Sequence, residues 1–149
     1  MNKELLEQLV KTVLDHLGVS YDCVIKAADD DGVLVSITGS ELNHLIGYRG
    51  DTLNAFQHFL NSAYYNGANE YVRLLVDVNG YRDQRKEKLE DMAKSFIDRV
   101  RFFNQEVEMP ALNPSERRLI HTFVAQYDDV LSESTGTGRD RRVVLKPKK

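Results

Sequence analysis

The sequence predicts an α+β fold: a six-element α-β-β-α-α-β unit, then a long helix, then a small α/β unit. Three observations carry this. Segments that alternate apolar and polar residues, and segments with apolar residues at helical spacing, follow one another in that order up to Val78. An unbroken amphipathic pattern then runs from Tyr81 to Phe103. Beyond it, Asn113-Pro114-Ser115-Glu116 opens another helix, and two strand-like segments follow. We therefore divide the chain into residues 1–79, a connecting helix over 80–104 and a second unit over 105–149.

The elements of the first unit can be justified in turn. Leu5, Leu6, Leu9, Val10, Val13, Leu14 and Leu17 form an apolar stripe that stops at Gly18, a common helix terminator. Tyr21 to Ala27 reads as a strand, and Asp29-Asp30-Asp31-Gly32 as a hairpin turn into the strand Val33–Ile37. Ser40 to Ile46 reads as a short capped helix. After Gly47-Tyr48-Arg49-Gly50, the residues Leu53, Phe56, Phe59, Leu60, Ala63 and Tyr64 recur at helical spacing. Tyr71 to Val78 alternates again, with Val72, Leu74, Val76 and Val78 on one face.

The tetrapeptide Gly47-Tyr48-Arg49-Gly50 gains meaning from this context. Nine glycines in 149 residues produce some G-x-x-G by chance in roughly every second such chain, so the flanking elements carry the argument. A β-α-GxxG-α-β unit is the arrangement of a KH domain, which clamps about four single-stranded nucleotides. A helix and a strand ahead of that unit give the type II order. Glycine lets the backbone approach a sugar-phosphate chain and adopt positive φ. The helix opening after Gly50 points unpaired N–H groups outward. Arg49 adds a planar charged fork suited to phosphate, and Tyr48 a ring able to stack. Asp51 would cap the helix but compete with an incoming phosphate. The plain alternative is a helix–helix turn punctuated by two glycines.

In the long helix, Leu89, Met92, Ala93, Phe96, Ile97, Val100 and Phe103 make the apolar stripe. Arg82, Arg85, Lys86 and Lys88 alternate with acidic residues in its first turns and read as a solvated face with i,i+4 pairs. In the second unit, Val107 and Met109 suggest a strand ending at Pro110. Asn113 as N-cap, Pro114 at N1 and Glu116 at N3 form a strong helix start. Val130–Ser134 and Arg141–Leu145, joined through Gly136-Thr137-Gly138, read as a hairpin with Arg139 and Arg142 at its turn end. Between these lies Arg117-x-x-x-His121. A spacing of four puts both side chains on one helical face, about 110° round from the Leu119/Ile120/Phe123/Val124 stripe and so at the border of the core. Arginine offers bidentate phosphate contact, and histidine can bond phosphate or stack on a base. Arg118, Arg139, Arg141 and Arg142 in the same small unit favour a binding patch; the bland alternative is an exposed arginine beside a histidine bonded to a backbone carbonyl.

Composition bounds the function. The net charge is −3, yet Arg139 to Lys149 holds six basic residues against one acidic and carries +5, leaving −8 on the rest. A basic rim on an acidic body fits localised rather than diffuse contact with a polyanion. No apolar run approaches the ~20 residues of a membrane span, and no signal-peptide pattern opens the chain. The single cysteine, Cys23, forms no internal disulfide and suits a reducing cytoplasm. His16, His44 and His58 lack Cys or His partners at ligand spacing, and no nucleophile motif or P-loop occurs, so we expect no enzyme, metal or cofactor.

Taken together, these motifs resemble the bacterial Jag family (SpoIIIJ-associated proteins, also called KhpB or EloR), which join a type II KH domain to an R-3-H domain. The resemblance spans Leu45 to Leu53 around the glycine loop, Asp77-Val78-Asn79-Gly80-Tyr81-Arg82 at the strand-to-helix junction, and Asn113-Pro114-x-Glu116-Arg117-Arg118-x-Ile120-His121. It continues in Ser132-x-Ser134, Gly136, Gly138 and Arg141-Arg142-Val143-Val144. Tyr48 departs from the lysine common at its position. Many members carry a small extra N-terminal domain, so a short form or a fragment is expected. The resemblance implies binding of single-stranded RNA, or of single-stranded DNA. It also implies a cytoplasmic post-transcriptional regulatory role linked to cell-envelope growth, elongation or sporulation. Pairing through the KH domain, as a homodimer or with a small single-KH protein, is implied too. The alternative is a protein-interaction scaffold whose KH fold serves dimerisation.

Overall fold

A computed structural model describes residues 1–148; Lys149, the last residue of the basic tail, lies outside the described residues. The chain separates into two compact units, Met1–Asp83 and one that begins at Gln84.

The first unit runs α1 (Lys3–Leu17), β1 (Asp22–Ala27), β2 (Val33–Thr38), α2 (Asn43–Ile46), a 3-10 turn (Tyr48–Gly50), α3 (Asp51–Ala68) and β3 (Leu74–Val78). Asn2 caps α1 by accepting from Leu5 N–H, and Gly18 ends it at φ 68°. The β1–β2 turn places Asp30 and Asp31 at positive φ, the twist that suits a tight hairpin. The sheet order is β1-β2-β3, with β1 antiparallel to β2 and β2 parallel to β3. Leu6, Val10 and Leu14 of α1 and Leu53, Phe56, Leu60 and Tyr64 of α3 cover Val33, Val35, Ile37, Leu74, Val76 and Val78 of the sheet. This is the expected α-β-β-α-α-β order.

Two local expectations fail for tertiary reasons. The helix expected from Ser40 starts only at Asn43, with no side-chain cap, because Leu42 is drawn into the core. The strand expected from Tyr71 starts at Leu74, and Tyr71 is 78% exposed.

The second unit holds most of α4 (Tyr81–Phe103), then β4 (Val107–Glu108), α5 (Pro114–Val124), β5 (Val130–Thr135), a 3-10 turn (Gly138–Asp140) and β6 (Arg142–Pro147). Its antiparallel sheet has the order β4-β6-β5. Leu89, Ala93, Ile97 and Val100 of α4 pack with Ile120, Phe123 and Val124 of α5 and with Val130, Val143 and Leu145 of the sheet. Phe103 is not part of the stripe: it is 61% exposed and meets Phe102 edge-on at 4.9 Å. The helix start at Asn113 is a complete capping box, with Asn113 Oδ1 accepting from Glu116 N–H and Glu116 Oε2 accepting from Asn113 N–H. Among the described residues, no helix is long and apolar enough to cross a membrane.

Candidate nucleic-acid interface

The glycine loop is built by backbone packing. Gly47 (φ 70°) and Gly50 (φ 81°) bracket Arg49, itself in the left-handed region at φ 54°. A Cβ at Gly47 would fall 2.1 Å from Thr52 Oγ1, and one at Gly50 would fall 2.8 Å from the Tyr81 ring. Both glycines are therefore required by the fold, independently of any ligand. Tyr48 is 72% exposed, and the guanidinium of half-buried Arg49 lies 4.8 Å from its ring centroid, placing a charge beside an exposed ring. Gly50, not Asp51, is the N-cap of α3, and no side chain caps it; Asp51 stands in the first turn.

The first turn of α4 corrects another expectation. Arg82 does not lie on a solvated face. Its Nε donates to Val76 O at 2.7 Å, and its guanidinium also bonds Gln57 Oε1 (2.9 Å) and Asn54 Oδ1 (3.2 Å). Gln57 accepts from Val76 N–H, while Asn61 accepts from Leu74 N–H and donates to Leu74 O. These side chains occupy the outward backbone groups of β3, so the edge strand is closed to a further strand. Arg85 is likewise committed, bonding Glu116 Oε1 at 2.9 Å within the second unit.

In the second unit, His121 and two serines form one network. His121 Nδ1 lies 2.7 Å from Ser132 Oγ, and its Nε2 lies 2.6 Å from Ser134 Oγ. Burial, then the nearby Arg141 and Arg117 cations, hold the imidazole pKa below the usual value. Arg117 reaches over to donate to Leu112 O at 2.6 Å, and Arg141 donates to Gly136 O at 2.9 Å. No carboxylate lies within ion-pair distance of Arg117, Arg118, Arg139, Arg141 or Arg142 among the described residues, whereas Arg85 and Arg101 are paired with Glu116 and Asp129. The patch thus keeps its positive charge.

Residues 3–76 match the KhpA/KhpB KH-domain family, and residues 87–147 match the R-3-H domain. RNA-binding protein KhpB of Bacillus subtilis is 32% identical over 142 residues, covering 94% of this chain and 68% of that protein. The chain belongs to the KhpB (Jag) family. RNA-binding protein KhpB of Clostridium symbiosum is 30% identical over 147 residues, covering 98% of this chain and 64% of its own length. For the Streptococcus pneumoniae D39 protein of the same name the figures are 27%, 91% and 41%. The chain thus spans between two fifths and about two thirds of the length of these relatives.

Within this KhpB-family chain, the fold gathers some expected residues and separates others. Gly47, Tyr48, Arg49 and Gly50 form one loop. Arg117, His121 and Arg141 come together, and Arg118 is exposed on the same helix. Arg142 does not join them. It pairs in register with Thr135, while Ser134 pairs with Val143, so strand alternation sends Arg142 to the opposite face. There it donates to Arg139 O at 2.8 Å. The polar groups missing from the candidate set are Ser132 and Ser134. Alternation with buried Val130 was the available signal: it turns both hydroxyls toward the α5 side of the sheet.

Proposed function

We propose that this chain binds single-stranded RNA through two contacts, the Tyr48–Arg49 loop of the KH unit and the Arg117/His121/Arg141 patch of the R-3-H unit. The observation that carries the reading is the patch: cations without carboxylate partners surround a histidine held in a defined orientation. Arg85 and Arg101, by contrast, are paired with Glu116 and Asp129. Family membership and the RNA-binding relatives support the same conclusion. Exposed Arg118, and Arg139 on the hairpin turn, supply further phosphate contacts, whereas Arg142, on the opposite face, supplies none. With ~5–8 basic contacts, affinity is modest and falls steeply with salt.

The biological role that follows is post-transcriptional regulation in the cytoplasm, tied to cell-envelope growth, elongation or sporulation. The KH unit would pair with a second copy or with a small single-KH protein. Fluorescence anisotropy with a pool of short single-stranded RNAs, at low and at physiological salt, tests the binding. Tyr48→Ala/Arg49→Asn and Arg117→Ala/Arg141→Ala are the informative variants, since glycine substitutions would disturb the fold itself. Weaker binding in both double variants supports two contacts. A folded wild type that binds nothing even at low salt rejects the reading and leaves a protein-interaction scaffold.

A further inference from the structure

We propose that Ser132 and Ser134 are phosphate-binding hydroxyls and that His121 is their positioning residue, taking up a proton as the phosphate docks. The inference rests on the R-3-H patch being an RNA contact, and it assigns the donors and the proton linkage within that patch.

A neutral imidazole has one N–H and one lone pair. With both ring nitrogens bonded to serine oxygens, at 2.7 and 2.6 Å, one serine must accept from the ring and the other must donate to it. Only one hydroxyl proton is then left for a ligand. A phosphodiester offers acceptors alone, so it is served best by two donors. Protonating His121 makes both ring nitrogens donors, turns both serines into acceptors toward the ring, and frees both O–H groups. Residues i and i+2 of a strand stand about 6.6 Å apart, a span that two hydrogen bonds and the two free oxygens of one phosphate can bridge.

The surroundings favour this coupling. The charged groups facing the ring are Arg117 from its own helix and Arg141 just before β6; Ser132 and Ser134 face it from β5. With the patch empty, the two cations oppose a third positive charge. A bound phosphate offsets them, so the proton enters with the anion. His121 therefore acts through the serines, since each of its nitrogens is already engaged.

Titration calorimetry of the full chain with a mixed-sequence single-stranded RNA 12-mer tests this, run in two buffers of different ionisation enthalpy between pH 5.5 and 8. Expected are net proton uptake by the wild type and tighter binding at the acidic end. Ser132→Ala/Ser134→Ala should lose about tenfold in affinity, the worth of one charge-assisted hydrogen bond or more. His121→Gln keeps one donor and one acceptor but cannot take a proton, so it should bind without His121's share of the pH slope and uptake. A serine double variant that binds like wild type, or a His121→Gln variant with unchanged uptake, overturns the inference while leaving RNA binding standing. A wild type that binds no RNA overturns both. Loss of stability alone would shift unfolding midpoints without altering proton uptake.

Discussion

The two candidate contacts are built on opposite principles. The loop of the KH unit depends on backbone shape: two glycines lie where Thr52 Oγ1 and the Tyr81 ring leave no space for a Cβ, while Tyr48 projects outward. The patch of the R-3-H unit sits on regular α5 and β5, where side-chain hydrogen bonds fix the geometry. A backbone-built site tolerates changes of charge but not of volume. A side-chain-built site tolerates modest changes of volume but not the loss of a donor or acceptor, because a partly buried polar group left alone costs about 1–3 kcal/mol.

The largest effect should come from adding volume at the loop. Gly50→Ala places a side chain at φ 81° and 2.8 Å from the Tyr81 ring. Left-handed strain of ~1–2 kcal/mol, plus overpacking of ~1–3 kcal/mol, should destabilise the first unit by about 2–5 kcal/mol in urea unfolding. Gly47→Ala should behave similarly, since its Cβ would meet both Oγ1 and Cβ of Thr52. Wild-type stability in Gly50→Ala would end the distinction between the two sites. Next in size is Glu116→Gln in the second unit. Glu116 is 7% exposed, completes the capping box and receives Arg85. Neutralising it leaves a partly buried guanidinium without its counter-charge, at about 2–3 kcal/mol. Unfolding monitored at the second unit should show that loss; a change below ~0.5 kcal/mol would mean that the capping box alone sets the helix start.

What the sequence disclosed follows from the range of each interaction. The capping box was legible because all its atoms come from Asn113 to Glu116. The six-element order was legible because period 2 and period 3.6 differ over short windows. The start of α2 was hidden, because burial of Leu42 is decided by the whole core. Arg82 was misread as a surface residue because its partners Asn54, Gln57 and Val76 lie up to 28 positions back. The histidine motif was visible, but its serines stand 11 and 13 residues on and are joined to it only by the packing of α5 on β5. Charge could be counted from composition, but not which arginines keep theirs.

The pH response should separate the units again. His121 has its pKa lowered in the folded state relative to the unfolded value near 6.5. The unfolded chain therefore binds more protons in the window just below 6.5. Stability rises with pH there: this contribution is complete above about 6.5 and is lost as pH falls toward the folded pKa. Denaturation of the second unit between pH 5 and 8 should show this slope, and His121→Gln should remove its share. An unchanged slope in that variant would place the titration elsewhere.

The smallest effect on stability should be the most informative about binding. Arg49 sits at φ 54°, a conformation that asparagine adopts at little cost and arginine rarely does. Arg49→Asn relieves that strain, which offsets in part the contacts the guanidinium loses, so the unfolding free energy should change by no more than about 1 kcal/mol. It removes a full charge beside Tyr48, 4.8 Å from the ring centroid, where an incoming strand would meet both phosphate fork and stacking face. Affinity for single-stranded RNA should fall several-fold at low salt, with a shallower salt dependence because one phosphate contact is gone. Should Arg49→Asn bind RNA as wild type does and with the same salt slope, the loop would be architecture only. The patch around His121 would then hold the RNA alone.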